Sequence, residues 1–222
     1  MRNDHVALVI PHTDVTLEMD LQGAPNSDTI HTQRMWLDEV DEEAERTMVA
    51  RELPAALRYL KGVAPYRCAV FGCTSASAVN GVDGMYEIQE LMQRELGCPA
   101  ITVLGAVLQE IKNRGATHIA VLTPYTQQVN QFFAKTLEQF QVSVCYIAGM
   151  GLVNDGDIAA LTPDEIVAYG QQQSRNIPPE ADLCFFSCTN VRAAEVIEQL
   201  TQAVGKPVIS SNQCVVDYIR RL

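Results

Sequence analysis

The sequence has few positive charges, few aromatic side chains and no long apolar run. Lys and Arg total 16 against 27 Asp and Glu residues, so the formal net charge is −11, and aromatic residues make up 6%. A surface of that sign repels phosphate groups, so nucleic acid is not an expected partner. No segment reaches the roughly 18 consecutive apolar residues of a membrane-spanning helix, and the first residues show no secretory signal pattern. We expect neither membrane association nor secretion.

Signatures of disulfides, metal sites and nucleotide cofactors are also missing. The seven cysteines are an odd number, and a chain of 222 residues that is 47% hydrophobic can bury a core without cross-links. Reduced thiols and a cytoplasmic location are therefore expected. Neither Cys68 with Cys73 nor Cys184 with Cys188 has the Cys-x-x-Cys spacing of a zinc site, and no phosphate loop or Ser-His-Asp set occurs. We expect no metal and no cofactor.

Short apolar runs of strand length alternate with longer helical patterns along the whole chain. Strands are predicted at 6–10, 29–37, 68–72, 118–122, 142–147, 183–187 and 207–210. Helices are predicted at 38–60, 84–96, 127–140 and 191–204, from 163 and from 212, and one more follows a short apolar run after Pro99 and ends at about Arg114. This alternation predicts an α/β fold in which helices cover both faces of parallel sheets. No linker rich in Gly, Ser or Pro separates two halves. A domain boundary is therefore predicted as a crossover near 97–103 with a return near 205–210.

An acidic run lies near the start of the predicted 38–60 helix. It comprises Asp41, Glu42, Glu43 and Glu45. Negative charge there suits the positive end of the helix dipole. Charge runs of this kind usually face solvent, so we predict a solvated face.

One short pattern occurs twice, about half the chain apart. Gly72-Cys73-Thr74-Ser75 and Ser187-Cys188-Thr189-Asn190 each follow an apolar strand and precede a helical pattern. Ligands of open parallel sheets bind beyond the carboxyl ends of the strands. Two similar halves that face each other would bring both thiols to one cleft. We predict that Cys98, Cys145 and Cys214 are small buried hydrophobic residues.

The paired turns indicate chemistry with two thiols. A helix N-terminus lowers the pKa of an adjacent thiol, so we expect a thiolate near neutral pH. The side chains and amides of Thr74, Ser75, Thr189 and Asn190 are candidates for binding a substrate carboxylate. A thiolate on one side and a thiol on the other can move a proton from one face of a carbon to the other, or add to a carbon–carbon double bond.

With these turns the sequence resembles the aspartate/glutamate racemase superfamily, and more narrowly the branch that contains maleate cis–trans isomerase and arylmalonate decarboxylase. Further matches run through most of the chain. They lie at 11–18, at Pro124-Tyr125-Thr126 with Val129-Asn130, at 149–165 and at 207–213.

The resemblance implies two pseudo-symmetric flavodoxin-like halves with a cofactor-independent site in the cleft between them. Residues 1–100 with 208–222 would form the first lobe and 101–207 the second, and a homodimer is expected. In the isomerase, the cysteine that matches Cys73 attacks maleate covalently, and the one that matches Cys188 assists the return to a double bond. In the racemases two thiols exchange the α-proton. The decarboxylase has glycine at the first position, so decarboxylation is the least expected of the three activities.

Two departures from the maleate isomerases leave the substrate open. The maleate isomerases have Asn where this chain has Asp14. Their second Asn corresponds to Asp155, or to Asn154 if the loop shifts by one residue. A carboxylate at position 14 repels a dicarboxylate and suits an ammonium group, unless Asp14 only caps a turn. Thr13 and the Tyr125 hydroxyl are further candidates for binding a substrate carboxylate.

The sequence therefore predicts a cofactor-independent isomerase of a small carboxylate or dicarboxylate that uses two cysteines. Maleate-type isomerisation is the first hypothesis and amino-acid racemisation the alternative. A two-lobed protein that binds a carboxylate without chemistry is the rival from another class. Substrate identity and stereochemistry stay open.

Overall fold

Two four-stranded parallel sheets carry the fold, and they repeat one strand order. The computed structural model describes residues 4–24 and 28–222. The first sheet has the order β2-β1-β3-β4 and the second the order β6-β5-β7-β8, which is the first order advanced by four strands. The strands of the first sheet are β1 (His5–Pro11), β2 (Thr29–Met35), β3 (Tyr66–Phe71) and β4 (Ala100–Thr102). Those of the second are β5 (His118–Thr123), β6 (Ser143–Gly149), β7 (Leu183–Phe186) and β8 (Val208–Ser210).

Eleven α-helices are described in 4–24 and 28–222, and they flank the two sheets. They are α1 (Leu17–Gly23), α2 (Glu42–Thr47), α3 (Leu53–Leu60), α4 (Thr74–Val79), α5 (Gly81–Leu96), α6 (Val103–Asn113), α7 (Gln127–Gln139), α8 (Asp155–Ala159), α9 (Pro163–Ser174), α10 (Ile197–Val204) and α11 (Ser211–Arg221). The predicted α/β class with helix-flanked parallel sheets is confirmed. Within the described residues, no helix has the length and apolar content to cross a bilayer.

The central strands are apolar on both faces because helices cover both faces of each sheet. Every residue from Val6 to Ile10 in β1 is fully buried, and so is every residue from Ile119 to Leu122 in β5. The edge strands β2 and β6 are only partly buried. This difference explains why the sequence pattern is clearer for the central strands than for β2 and β6.

Three predicted helices differ in detail, and three short ones were missed. The helix predicted at 38–60 is α2, a π-helical segment at Met48–Glu52 and α3, with Pro54 in the first turn of α3. The helix predicted at 191–204 starts with a 3₁₀ segment at Arg192–Val196, and α5 begins three residues before its predicted start. The sequence analysis missed α1, α4 and α8 because five to seven residues are too few to show a helical period.

Strands β3 and β7 hold equivalent positions, since each pairs with the first strand of its own sheet. The two cysteine turns follow these two strands directly. Strand β4 completes the first sheet and β8 the second, so the predicted lobe limits at 100 and 208 fall at these two strands. The assignment of the final helix to the first lobe stays a prediction.

Candidate active site

Cys73 lies where β3 ends and α4 begins. The preceding residue must be small, because a Cβ on Gly72 would lie 2.5 Å from Ile10 Cγ2 and 2.7 Å from Leu17 Cδ2. The extended backbone of Cys73 forms the N-cap of α4, and its side chain is 3% exposed. Its sulfur lies 3.5 Å from the Ser75 hydroxyl.

Cys188 occupies the equivalent place after β7. Its φ of 102° lies in the region that favours glycine, so the turn holds this thiol in a strained conformation. The side chain is 5% exposed, and the Asn190 N–H donates to the sulfur at 3.4 Å. A strained backbone that persists at one cysteine turn is typical of a functional site.

Direct contacts join the two turns. The buried Ser211 hydroxyl accepts from the Cys188 N–H at 3.2 Å and lies 3.0 Å from the Thr74 hydroxyl. The Thr189 hydroxyl donates to the Gly72 carbonyl at 3.5 Å. The structure therefore brings the predicted residues of both turns together.

Tyr125, which follows β5, borders both thiols. Its side chain is 2% exposed, and hydrogen bonding from its hydroxyl lowers the pKa of Cys188. Burial raises the pKa of Tyr125 well above its usual range, and the neighbouring Cys188, Cys73 and Glu45 raise it further. Tyr125 is therefore a neutral donor between the two cysteines.

Glu45 is a functional candidate that the sequence analysis missed. Its side chain is fully buried, and its Oε2 lies 3.8 Å from the Cys73 sulfur, so the prediction of a solvated face is wrong for this residue. Burial raises the pKa of Glu45 to about 8, and the charge of Asp155 adds to the rise, while the Ser75 hydroxyl lowers it. One signal was available: Glu45 precedes the apolar Met48 by one helical turn, which places both on the same face.

Asp14 is also buried, and one of its oxygens caps α1. Oδ1 accepts from the N–H groups of Thr16 and Leu17 at 3.0 Å each, whereas Oδ2 is buried without a hydrogen-bond partner in the described part of the chain. Burial raises the pKa of Asp14 to about 6, although the Thr189 hydroxyl lowers it. Asp14 therefore caps a turn and also presents a free carboxylate oxygen.

The first loop is tied to the loop before α8. The Thr13 hydroxyl donates to the Asp155 carboxylate. The buried Asn190 carboxamide accepts from the Val15 N–H at 3.0 Å and donates to the carbonyls of Thr13 and Asp155 at 3.1 and 3.2 Å. Its side-chain groups are thus occupied by the scaffold. The two loops and the second cysteine turn therefore form one connected unit.

Asn154 is placed differently from the other predicted side chains. It is exposed, and its oxygen caps α8 by accepting from the N–H groups of Gly156 and Asp157 at 2.9 and 3.2 Å. Asp155, by contrast, is close enough to raise the pKa of Asp14, Glu45, Cys73 and Cys188. Of the two residues that the resemblance left open, Asp155 is the one whose charge acts on the site.

Both thiols are neutral in this buried setting. Burial raises the pKa of Cys73 well above its ordinary value, and the charge of Glu45 raises it further. Burial also raises the pKa of Cys188, and the charge of Asp155 adds to that rise. The prediction of a lowered thiol pKa is wrong, because desolvation and carboxylates outweigh the amide groups at the helix start.

A backbone hydrogen bond joins the loops that follow the edge strands β2 and β6. The Val40 N–H donates to the Val153 carbonyl at 3.1 Å, which links the loop before α2 to the loop before α8. Both thiols are almost fully buried in this structure. In 4–24 and 28–222, no Lys or Arg forms an ion pair with Asp14, Glu45 or Asp155. The described residues also include no cluster of three or more His, Cys, Asp or Glu arranged to hold a metal ion.

A sequence profile of the family described as arylmalonate decarboxylase matches residues 27–221. The chain belongs to this family. The maleate isomerase of Alcaligenes faecalis is 18% identical over 238 residues, with 95% of this chain and 87% of that protein covered. The resemblance to the branch of maleate isomerase and arylmalonate decarboxylase is confirmed.

Solved structures of both activities share the fold. A mutant of the Nocardia farcinica maleate cis–trans isomerase with a covalently bound succinylcysteine intermediate has a TM-score of 0.87 and 17% identity, covering 98% of this chain and 91% of that chain. A liganded arylmalonate decarboxylase mutant, with one glycine changed to cysteine and one cysteine to serine, has a TM-score of 0.89 and 19% identity, covering 98% and 92%.

Proposed function

We propose that this member of the arylmalonate decarboxylase family is a cofactor-independent isomerase of a small carboxylic acid that works through Cys73 and Cys188. The reaction proposed first is cis–trans isomerisation of a maleate-type substrate. One observation carries the proposal: the thiols stand at equivalent turns of two repeated sheets, and the buried Ser211 hydroxyl contacts both turns. The maleate isomerases among the relatives support this choice, as does the presence of cysteine at the first turn.

The proposed reaction uses each thiol once. The Cys73 sulfur, as thiolate, bonds to one alkene carbon, and the electron pair moves to the neighbouring carbon. The Cys188 thiol supplies a proton to that carbon, which leaves a single bond that rotates. Cys188 then takes the proton back, the double bond forms again in the trans geometry, and the Cys73 thiolate leaves. Tyr125, hydrogen-bonded to Cys188, keeps this acid–base group in position.

Amino-acid racemisation is the second candidate, and the carboxylates favour it. Asp14, Glu45 and Asp155 act on the site, while no ion pair with Lys or Arg in the described residues neutralises them. The unpartnered Asp14 Oδ2 suits an ammonium group better than a second carboxylate. In this case one thiolate removes the α-proton and the opposite thiol returns a proton to the other face.

NMR spectroscopy in D₂O separates these reactions. With maleate, we expect the signals of fumarate to grow; with aspartate or glutamate, exchange of the α-proton together with loss of optical rotation indicates racemisation instead. Cys73→Ala and Cys188→Ala each abolish the reaction, and Cys98→Ala, a control outside the turns, does not. Binding of these acids without any conversion would identify a carboxylate-binding protein and refute both reactions.

A further inference from the structure

The proton of the Cys73 thiol has to leave before the sulfur can react. The side chains within hydrogen-bonding range of this sulfur in the described residues are the Glu45 carboxyl at 3.8 Å and the Ser75 hydroxyl at 3.5 Å. A hydroxyl relays a proton but does not keep it. Glu45 is therefore the neighbour whose chemistry allows it to accept the proton.

Packing does not account for a carboxyl group at this position. Glu45 lies on α2 with no exposed surface, and its Oε1 has no hydrogen-bond partner in the described residues. An ionised or unpartnered buried carboxyl lowers stability, whereas an apolar side chain of similar size would not. Buried polar groups of this kind are expected where they serve the chemistry.

We propose that Glu45 is the proton acceptor of Cys73 in the isomerase reaction, a role that rests on the proposed function. The S–H bond of Cys73 breaks as the O–H bond of Glu45 forms, and the electron pair stays on sulfur. The thiolate then attacks the substrate. When the sulfur leaves, Glu45 either keeps the proton for the next turnover or returns it to the thiolate.

Cys73 and Glu45 thus titrate as a coupled pair that shares one proton once the first has left. Burial raises the pKa of both groups, and each negative charge disfavours the other. Asp155 from α8 and Asp41 from the start of α2 add to the rise at Glu45, and Tyr125 faces the pair from the loop after β5. The first proton of the pair leaves near pH 8, where the pKa of Glu45 lies.

Alkylation of Cys73 without substrate tests the pair directly. The rate of iodoacetamide labelling of the Cys73 peptide is measured by mass spectrometry across the pH range in wild type, Glu45→Gln and Glu43→Gln. Glu43 is the matched control, since it is an exposed carboxylate on the same helix. In wild type and in Glu43→Gln, we expect labelling to rise with a midpoint near pH 8. In Glu45→Gln the midpoint moves up by about one pH unit or more, because the thiol then ionises alone and burial raises its pKa.

A purely electrostatic neighbour gives the opposite result. If Glu45 only repels the thiolate, its removal lowers the midpoint, and that outcome overturns the proposal. An unchanged midpoint overturns it as well. Glu45→Asp, which retains a carboxyl group, is expected to keep the wild-type midpoint more closely than Glu45→Gln does, and it serves as the test if the glutamine variant fails to fold.

Turnover supplies the second measurement. Once a substrate is established, Glu45→Gln is expected to lower kcat by about 100-fold, in the range of a lost acid–base group, and to move the acidic limb of the pH profile together with the labelling midpoint. If no candidate acid is converted, the proposed function fails. The labelling profile still decides the proton acceptor in that case, because it needs no substrate.

Discussion

The backbone N–H of Cys188 donates to the hydroxyl of Ser211 at 3.2 Å. Ser211 is the first residue of α11, and the same hydroxyl lies 3.0 Å from that of Thr74 in the other cysteine turn. One buried hydroxyl thus fixes the backbone of the second turn and a side chain of the first. It therefore joins the two cysteine turns, as the contact of Thr189 with Gly72 also does.

Ser211→Ala is expected to disturb both turns. The change leaves the buried Cys188 N–H without its acceptor, which typically destabilises a protein by about 1–3 kcal/mol. Urea unfolding measures this loss, and we expect a fall in kcat that Ser210→Ala does not show. Ser210 is the matched control because it caps the same helix through the Gln213 N–H. Equal effects on kcat would contradict the proposed link between the turns.

Cys188→Gly and Cys188→Ala are expected to differ in stability although both remove the thiol. The φ of 102° at this position disfavours any residue with a Cβ. The glycine variant should therefore be more stable than the alanine variant by roughly 1 kcal/mol, in urea unfolding at one pH. The control is the same pair at Cys73, whose φ of −140° predicts the opposite order.

Glu45→Gln is expected to change how stability depends on pH. The pKa of Glu45 is raised from an ordinary value of 4.5 to about 8, so the folded protein keeps a proton that the unfolded chain loses first. That contribution is fully present below pH 4.5 and is lost as pH rises toward 8, at no more than about 1.4 kcal/mol for each pH unit.

Glutamine does not titrate, so the stability of the Glu45→Gln protein should change less than that of wild type between pH 4.5 and pH 8. Urea unfolding at several pH values is expected to show Glu45→Gln gaining on wild type from pH 5 to pH 8. Asp14, with a pKa raised to about 6, contributes the same trend in both proteins and cancels in the comparison. Parallel profiles for the two proteins would show that Glu45 is not a buried acid of raised pKa.

Asn190→Asp is expected to weaken the connection between the first loop and the loop before α8. The change replaces a carboxamide N–H group that donates to the carbonyls of Thr13 and Asp155 with an oxygen that repels them. We expect a destabilisation of about 2 kcal/mol or more at neutral pH, and a smaller one in acid where the new carboxyl is protonated. Asn176→Asp, at an exposed position, is the control for added charge. A loss that does not depend on pH would contradict this explanation.

Local pattern was sufficient for most of the fold. Central strands such as β1 and β5 are apolar throughout because helices cover both their faces, and that makes them visible in the sequence. Five- to seven-residue helices such as α4 were missed because they are shorter than two helical turns. The repeated cysteine turn was recognised because it follows equivalent strands of two sheets.

The residues around the turns show where local pattern fails. Asn190 was expected to hold substrate, but its carboxamide is engaged with two loops that are distant along the chain. Asn154 faces solvent, whereas the adjacent Asp155 acts on the site. A shift of one residue in a loop reverses which side chain points inward, and sequence spacing alone does not determine that shift.

The sequence by itself determined the alternation of strands and helices and the place of two cysteines at matching strand ends. Each of these depends on neighbours close along the chain. That the thiols are reduced was an expectation from the sequence. Only the tertiary structure decided that Glu45 is buried against Cys73 and that both thiols are neutral. Burial and the charges of Glu45 and Asp155 set those properties, and they come from segments far apart in sequence. Desolvation depends on what surrounds a group in space, which no short motif specifies.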